Sequence, residues 1–207
     1  MKTAMSKYEF TGETKTLCDG TVLHRIRALI DIDLGWKIVK AGELGGWVEK
    51  EGNLSHIGNC WVYENAKVWG NAKVWGNAEV WGNVEIWGDA EVLGKARVYD
   101  YAKIFGNADV YHDAKVFGYA KIWGNAIVCG NAEVCGDAKV CGRAMVCGNA
   151  EVYGDAKVCG RAMVCGDAEV CGRAMVCGDA EVYGDTKIGG DEIVRGINHI
   201  ADDAFGS

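Results

Sequence analysis

The stretch Ala72-Lys73-Val74-Trp75-Gly76-Asn77 is one unit of a six-residue repeat, and this repeat decides the fold of the 207-residue chain. Every sixth residue from Val62 to Val194 is Val or Ile, which makes 23 positions without an exception. In the same steps, the 20 positions from Ala66 to Ala180 are all Ala except Val84. Because no insertion breaks the phase, the sequence predicts a repeat architecture.

The alternation inside each unit is typical of a short β-strand. Ala and Val point inward and the residues between them point outward, which is the period of two expected for a half-buried strand. The Gly-Asn or Gly-Asp pair that closes most units tolerates positive φ and predicts a sharp corner. Stacking the coils roughly 4.8 Å apart would bury the Val and Ala side chains in continuous columns and pair the backbone groups of neighbouring coils.

The region from Val62 to Val194 resembles the left-handed parallel β-helix of the hexapeptide-repeat proteins, in which three units form one triangular coil. The resemblance implies the left hand and the triangular section. We therefore predict an all-β fold, a single-stranded left-handed parallel β-helix of about seven to eight coils. The segment Leu44-Gly45-Gly46-Trp47-Val48-Glu49-Lys50, which leads toward Cys60-Trp61-Val62-Tyr63, also resembles the entry region of an uncharacterised subgroup found in bacteria and their phages.

Two segments outside the repeat are interpreted as caps, since the end of a solenoid exposes both core and strand edge. The predicted parts are an N-terminal β cap and solenoid entry at 1–57, the repeat at 58–194 and a capping tail at 195–207. In the first part, Tyr8–Phe10 and Thr21–Ile32 read as strands, with Cys18-Asp19-Gly20 as a turn. In the tail, we expect a short helix that covers the last coil with Ile197, Ile200 and Phe205.

With three units in one coil, every third unit stacks, and the solenoid has three faces. The first, second and third faces are those that contain Val62, Val68 and Val74. The outward position after each inward Val or Ile is mostly aromatic in the N-terminal half. On the second face these residues are Trp69, Trp87, Phe105 and Trp123. In the C-terminal half the same position is mostly Cys, in particular Cys141, Cys159 and Cys177 on the second face and Cys129, Cys147 and Cys165 on the third.

The second face also carries a basic ladder, although the chain has a net charge of −7. A repeated cation beside a repeated ring suits a small anionic, ring-bearing ligand. The predicted binding residues are Lys103, Lys121, Lys139, Phe105, Trp123 and Arg143. Two alternatives remain open at this stage: a solvated charged face, or a surface that meets the acidic face of another subunit.

Catalysis has little support in the sequence. Acyl transfer from coenzyme A, the best-known activity of the fold, uses a histidine base and usually a loop that projects from a coil. The repeat has only His112 and no such loop, so His112 is a weak candidate for the base. Three thiols in a straight ladder cannot converge on one tetrahedral zinc ion. We predict no catalytic residue, no metal and no cofactor, and expect reduced cysteines.

We therefore expect a non-catalytic binding or scaffold protein that sequesters a small anionic metabolite or nucleotide signal. A trimeric coenzyme A-dependent acyltransferase and a carbohydrate-binding module are the alternatives. The length of the aromatic strip predicts self-association through aromatic or cysteine ladders, as a trimer or dimer. The acidic balance argues against bulk nucleic-acid binding. No apolar run is long enough for a membrane span and Met1 to Tyr8 lacks a signal-peptide pattern, so we expect a cytoplasmic protein.

Overall fold

The computed structural model describes residues 6–196 and 199–201. Within these ranges the regular structure is β-strand, apart from one 3-10 turn at Glu51–Asn53. The strands of the repeat are parallel and stack into three sheets, each of which crosses about eight coils. The predicted all-β parallel solenoid is therefore confirmed. The described part of the chain has no helix with the length and apolar character of a membrane span.

Each sheet forms one face of the solenoid. The first-face strands are Trp61–Val62, Glu79–Val80, Arg97–Val98, Lys115–Val116, Glu133–Val134, Glu151–Val152, Glu169–Val170 and Lys187–Ile188. Those of the second face are Lys67–Val68, Glu85–Ile86, Lys103–Ile104, Lys121–Ile122, Lys139–Val140, Lys157–Val158, Met175–Cys177 and Ile193–Arg195. The third-face strands are Lys73–Val74, Glu91–Val92, Asp109–Val110, Ile127–Val128, Met145–Val146, Met163–Val164, Glu181–Tyr183 and His199–Ala201.

The core consists of the Val, Ile and Ala columns, as the alternation predicts. Val74 pairs with Val92 and Val92 with Val110 in parallel register, which confirms that every third unit stacks. All three side chains are fully buried, and so is Val84, the one exception in the Ala register. Val burial on every coil thus supplies one continuous hydrophobic column along the whole solenoid.

The corners explain the recurrent glycine. Gly76 has a φ of 71°, and a Cβ at this position would lie 3.0 Å from the backbone nitrogen of Gly94 in the next coil. Left-handed backbone and close coil contact therefore both favour glycine. Where the Gly register is broken, at Glu64, Asp100 and His112, the residues still adopt positive φ, between 53° and 63°.

The N-terminal cap extends the second-face sheet. Strands β1 (Tyr8–Thr16), β2 (Val22–Ala28) and β5 (Leu44–Val48) are antiparallel neighbours, and β5 pairs in parallel with Lys67–Val68. The small hairpin of β3 (Ile32–Asp33) and β4 (Ile38–Val39) forms a separate sheet.

The predicted turn at Cys18-Asp19-Gly20 is present, but the strand predicted over Thr21–Ile32 is divided after Ala28. The chain turns there because the carboxylate of Asp31 accepts hydrogen bonds from the Ala41 amide and the Lys40 ammonium. These bonds start a second hairpin instead of a longer strand.

The prediction of a helical tail is wrong for the part that the structure describes. His199–Ala201 is a strand that pairs in parallel with Glu181–Tyr183 and adds a last rung to the third face. Ile200 is the register partner of Val182 and packs against the core, so the stacking register continues where the six-residue motif is no longer recognisable. Ile197 and Phe205, the other two predicted tail residues, lie outside the described residues.

Candidate functional site

The three predicted lysines lie on consecutive coils of the second face. Lys103 is the register partner of Lys121, and Lys121 is the register partner of Lys139. Each side chain points outward because the following Ile or Val occupies the core. The same column continues with Lys157, which pairs with Lys139 but was not among the predicted site residues. We call Lys103, Lys121, Lys139 and Lys157 the lysine ladder.

Lys103 differs from the other members of the ladder because it is already paired. Its ammonium lies 2.7 Å from one carboxylate oxygen of Glu85, and Lys67 lies 2.9 Å from the other. Burial opposes ionisation of Glu85, but hydrogen bonds from Lys103 and Lys67 outweigh it and lower the pKa of this carboxyl. Glu85 therefore neutralises much of the charge at the N-terminal end of the ladder.

Lys121, Lys139 and Lys157 have no ion-pair partner in the described ranges. Neither does Arg143, which is exposed at the corner after the Lys139 strand. Parallel strands hold the three lysines roughly 4.8 Å apart, a spacing at which like charges repel. This part of the second face is therefore a row of unpaired cations, which an anion would stabilise.

The predicted aromatic residues form a continuous stack beside the lysine ladder. Phe105 lies between Trp87 at 4.4 Å and Trp123 at 5.7 Å between ring centroids, and all three rings are parallel within a few degrees. Both faces of Phe105 are thus occupied, and only its edge is available to a ligand. Trp123 is the last ring of the stack, and the next residue in its column is Cys141. Of the two predicted rings, Trp123 is the one that has a ring on one side and a thiol, that of Cys141, on the other.

A groove of about 360 Å³ runs along the other side of the ladder. It is lined by Lys67, Asn83, Glu85, Tyr101, Lys103, Tyr119, Lys121 and Asp137. Tyr101 and Tyr119 are exposed corner residues whose rings stack at 4.9 Å. Neither tyrosine was predicted from the sequence, although they stand one coil apart at a corner position that is usually Asn or Asp. Lys121 consequently lies between two aromatic columns, one that ends at Tyr119 and one that ends at Trp123.

A second groove, of about 490 Å³, lies where the cap meets the first face. Trp36, in the loop of the small hairpin, is 63% exposed and donates a hydrogen bond of 2.6 Å from its indole Nε1 to Glu79. Burial raises the pKa of Glu79, although the Trp36 hydrogen bond and the charge of Arg97 act in the opposite direction. Arg97 also lines this groove, which therefore combines an exposed ring with polar groups.

His112 occupies a corner, as the sequence indicates, and it is exposed. Its ring contacts Tyr111 edge-on at 4.7 Å between centroids. Of the other described histidines, His24 stacks on Phe10 and His56 stacks on Tyr8. In the described ranges, His, Cys, Asp and Glu form no group of three or more with the geometry of a metal site.

The cysteine ladders were predicted to lie on the surface, but their first members, Cys129 and Cys141, are buried, and the other ladder cysteines are half-buried. All ten cysteines belong to the described part of the chain, and none forms a disulfide. Cys147 is the middle member of the third-face ladder. Burial, followed by the neighbouring Cys165 and Cys129 thiols, raises its pKa to about 12. The Cys147 thiol is therefore protonated near neutral pH, and the three sulfur atoms are close enough to influence one another.

No protein-family model matches this chain, and no curated protein is significantly similar to it. Among the side chains described above, the unpaired lysines and the neighbouring rings are the most distinctive group.

Proposed function

We propose that the protein is a non-catalytic binding protein that holds a small anionic molecule on the second face of its solenoid. The observation that supports this function best is the row of cations formed by Lys121, Lys139 and Lys157, with Arg143 at the adjacent corner, none of them ion-paired within the described ranges. Lys67 and Lys103, in the same column, share an ion pair with Glu85, so paired and unpaired lysines occur in one column of one face.

The rings beside Lys121 favour a ligand that also contains a planar group. Trp123 on one side and Tyr119 on the other allow a ring to stack or lie edge-on while its anionic groups contact Lys121 and Lys139. Stacking on an aromatic side chain contributes roughly 1–3 kcal/mol per ring. Charge alone is screened by salt, because the Debye length is about 8 Å at physiological ionic strength. The combination therefore selects a nucleotide-like metabolite over a simple polyanion.

The site is tested by ligand binding to matched variants. A thermal-shift panel of nucleotides, including cyclic ones, acetyl-coenzyme A and oligosaccharides identifies the ligand class, and calorimetry then measures its affinity. The double variant Lys121→Ala/Lys139→Ala should lose at least tenfold in affinity. Lys73→Ala/Lys187→Ala removes the same charge from two ion-paired lysines on the other faces and should bind like the wild type. Equal affinity in both variants, or no nucleotide-like ligand in the panel, would reject the proposal.

Carbohydrate binding is a second candidate, and it is favoured by the groove beside Trp36. An exposed indole next to Glu79 and Arg97 offers a stacking surface and hydrogen-bonding groups for a sugar. Trp36→Ala should abolish any oligosaccharide binding and leave nucleotide binding unchanged. The two sites share no lining residue, so each can be tested separately.

We also propose that the chain belongs with the left-handed hexapeptide-repeat proteins, including their bacterial and phage members, that it is cytoplasmic, and that it self-associates. The six-residue phase and the three stacked faces support the family.

On the first face, Trp81, Tyr99 and Phe117 form a second aromatic stack at 4.6 and 4.7 Å. This strip would be covered by a second copy of the chain, in a dimer or trimer. Light scattering at micromolar concentration should give two or three times the monomer mass of 22.3 kDa, and the monomer mass itself would reject self-association.

A further inference from the structure

A second repeated motif, Arg-Ala-Met-Val-Cys-Gly, contains Met and Cys side chains that the anion site does not use. It occurs at 143–148, 161–166 and 173–178. The first two copies are one coil apart and therefore stack on the third face, where Met145 pairs in register with Met163. Cys147 and Cys165 follow two residues later on the same outward side. Two neighbouring coils thus place two thiols and two thioethers on one patch of the surface.

Cys129 extends this group by one coil, because Val128 pairs in register with Val146. The thiols of Cys129, Cys147 and Cys165 form a column with roughly 4.8 Å between its members, the spacing of adjacent strands. Cys147 and Cys165 are half-buried, and Cys129 is buried. We call Cys129, Cys147 and Cys165 the third-face thiol ladder.

We propose that the third-face thiol ladder binds a soft monovalent metal ion, of the class of Cu(I) and Ag(I), between the thiolates of adjacent coils. Two metal–thiolate bonds of about 2.3 Å in a straight line span about 4.6 Å, close to the strand spacing. A tetrahedral ion needs four converging ligands, which a ladder does not provide, whereas a linear site needs two. Met145 and Met163 supply additional soft sulfur donors beside the two thiolates.

The binding reaction is a proton exchange. Two thiols each lose a proton, two S–H bonds are replaced by two metal–sulfur bonds, and the bis-thiolate complex of the monovalent ion carries one negative charge. No electron is transferred when the metal arrives as M(I). Arg143 and Arg161 precede Met145 and Met163 by two residues, and Arg143 has no ion-pair partner among the described residues, so positive charge is at hand to offset the complex. Because protons are released, affinity should rise with pH.

The ladder geometry makes the middle thiol different from the end thiols, and this difference provides the test. Cys147 belongs to both possible pairs, so Cys147→Ser leaves Cys129 and Cys165 two coils apart, about 9.6 Å. Cys129→Ser instead leaves the adjacent pair of Cys147 and Cys165. A site made by any accessible thiol would not distinguish these two variants.

The experiment titrates phosphine-reduced full-length protein with Ag(I), which needs no reductant, and counts bound ions by native mass spectrometry. Cys147→Ser should retain at least one Ag(I) fewer than Cys129→Ser, and Cys18→Ser, in the turn of the cap, should match the wild type. Ag(I) should also raise the melting temperature of Cys129→Ser more than that of Cys147→Ser, because the ion joins two coils.

The double variant Cys129→Ser/Cys165→Ser isolates Cys147 and should show the same loss as Cys147→Ser, which guards against a folding defect in either protein. Equal Ag(I) counts in Cys147→Ser and Cys129→Ser would overturn the proposal. So would a loss in Cys18→Ser as large as that in Cys147→Ser, or displacement of Ag(I) by an equimolar amount of Zn(II).

Discussion

The N-terminal and C-terminal halves of the solenoid share one core but differ in their outer surfaces. Val92 and Val164 occupy equivalent buried positions, and the Ala columns run through both halves. Outside, the N-terminal half has stacked rings and a lysine–glutamate–lysine row, whereas the C-terminal half has thiols and adjacent lysines. The inward positions are constrained by packing on every coil. The outward positions are free to vary, so chemistry specific to this protein is found there.

The largest expected effect comes from breaking what the two halves share. Val110→Asp places a carboxylate in a fully buried column, where its register neighbours Val92 and Val128 offer it no charge to pair with. We expect a loss of several kcal/mol in the free energy of unfolding. Tyr111→Asp, the adjacent outward position, is the control and should cost about 1 kcal/mol or less. Thermal melting followed by circular dichroism compares them, and a wild-type melting temperature for Val110→Asp would contradict the core assignment.

A smaller loss of stability should distinguish the two halves when outward residues of the same column are replaced by alanine. Phe105 is stacked on two rings, whereas Cys141 occupies the same column two coils later, between Trp123 and Cys159. Phe105→Ala should cost about 1–3 kcal/mol, since each aromatic pair contributes roughly 0.5–1.5 kcal/mol beyond burial. Cys141→Ala should cost less. Urea unfolding measures both, and equal losses would show that ring stacking does not stabilise the N-terminal half.

The stabilisation that Glu85 contributes between Lys67 and Lys103 should depend on pH. Since the pKa of Glu85 is lowered in the folded state, its contribution is present above the unfolded pKa of about 4.3 and is lost as the pH falls through the folded pKa. Glu85→Gln should therefore destabilise the protein at pH 7 by about 1 kcal/mol or less, and by almost nothing at the acid end. Denaturant midpoints from pH 7 to pH 3 measure this. The control is Glu151→Gln, at an exposed glutamate that has no ion pair within the described residues.

The smallest effect comes from giving the C-terminal half the charge pattern of the N-terminal half. Lys139→Glu places a carboxylate between Lys121 and Lys157, as Glu85 lies between Lys67 and Lys103. We expect a gain of a few tenths of a kcal/mol, up to about 1 kcal/mol, together with loss of anion binding. A stability decrease at low salt would show that the lysine ladder is not under charge repulsion. Lys139→Gln separates the removal of repulsion from the new attraction.

Much of the candidate site followed from register alone. Because three units form one coil, every third unit falls on the same face. This places five of the predicted residues on one face: Lys103, Lys121, Lys139, Phe105 and Trp123. The pairing of Lys103 with Glu85 was accessible by the same register but was not anticipated, because Glu85 stands in the sequence as an exception to a basic row. Tyr101 and Tyr119 were overlooked because corner residues in such a repeat ordinarily serve only the turn.

The sequence by itself determined which side chains are buried, which residues stack and where the corners lie. Inward and outward residues alternate within each six-residue unit, and the unit repeats without a break, so both patterns can be recognised locally. Only the tertiary structure decided how the cap covers the first coil, with β5 beside Lys67–Val68 and Trp36 on Glu79. It also decided that His199–Ala201 continues the third face. These segments have no period, so their conformation depends on contacts with the finished solenoid rather than on their own pattern.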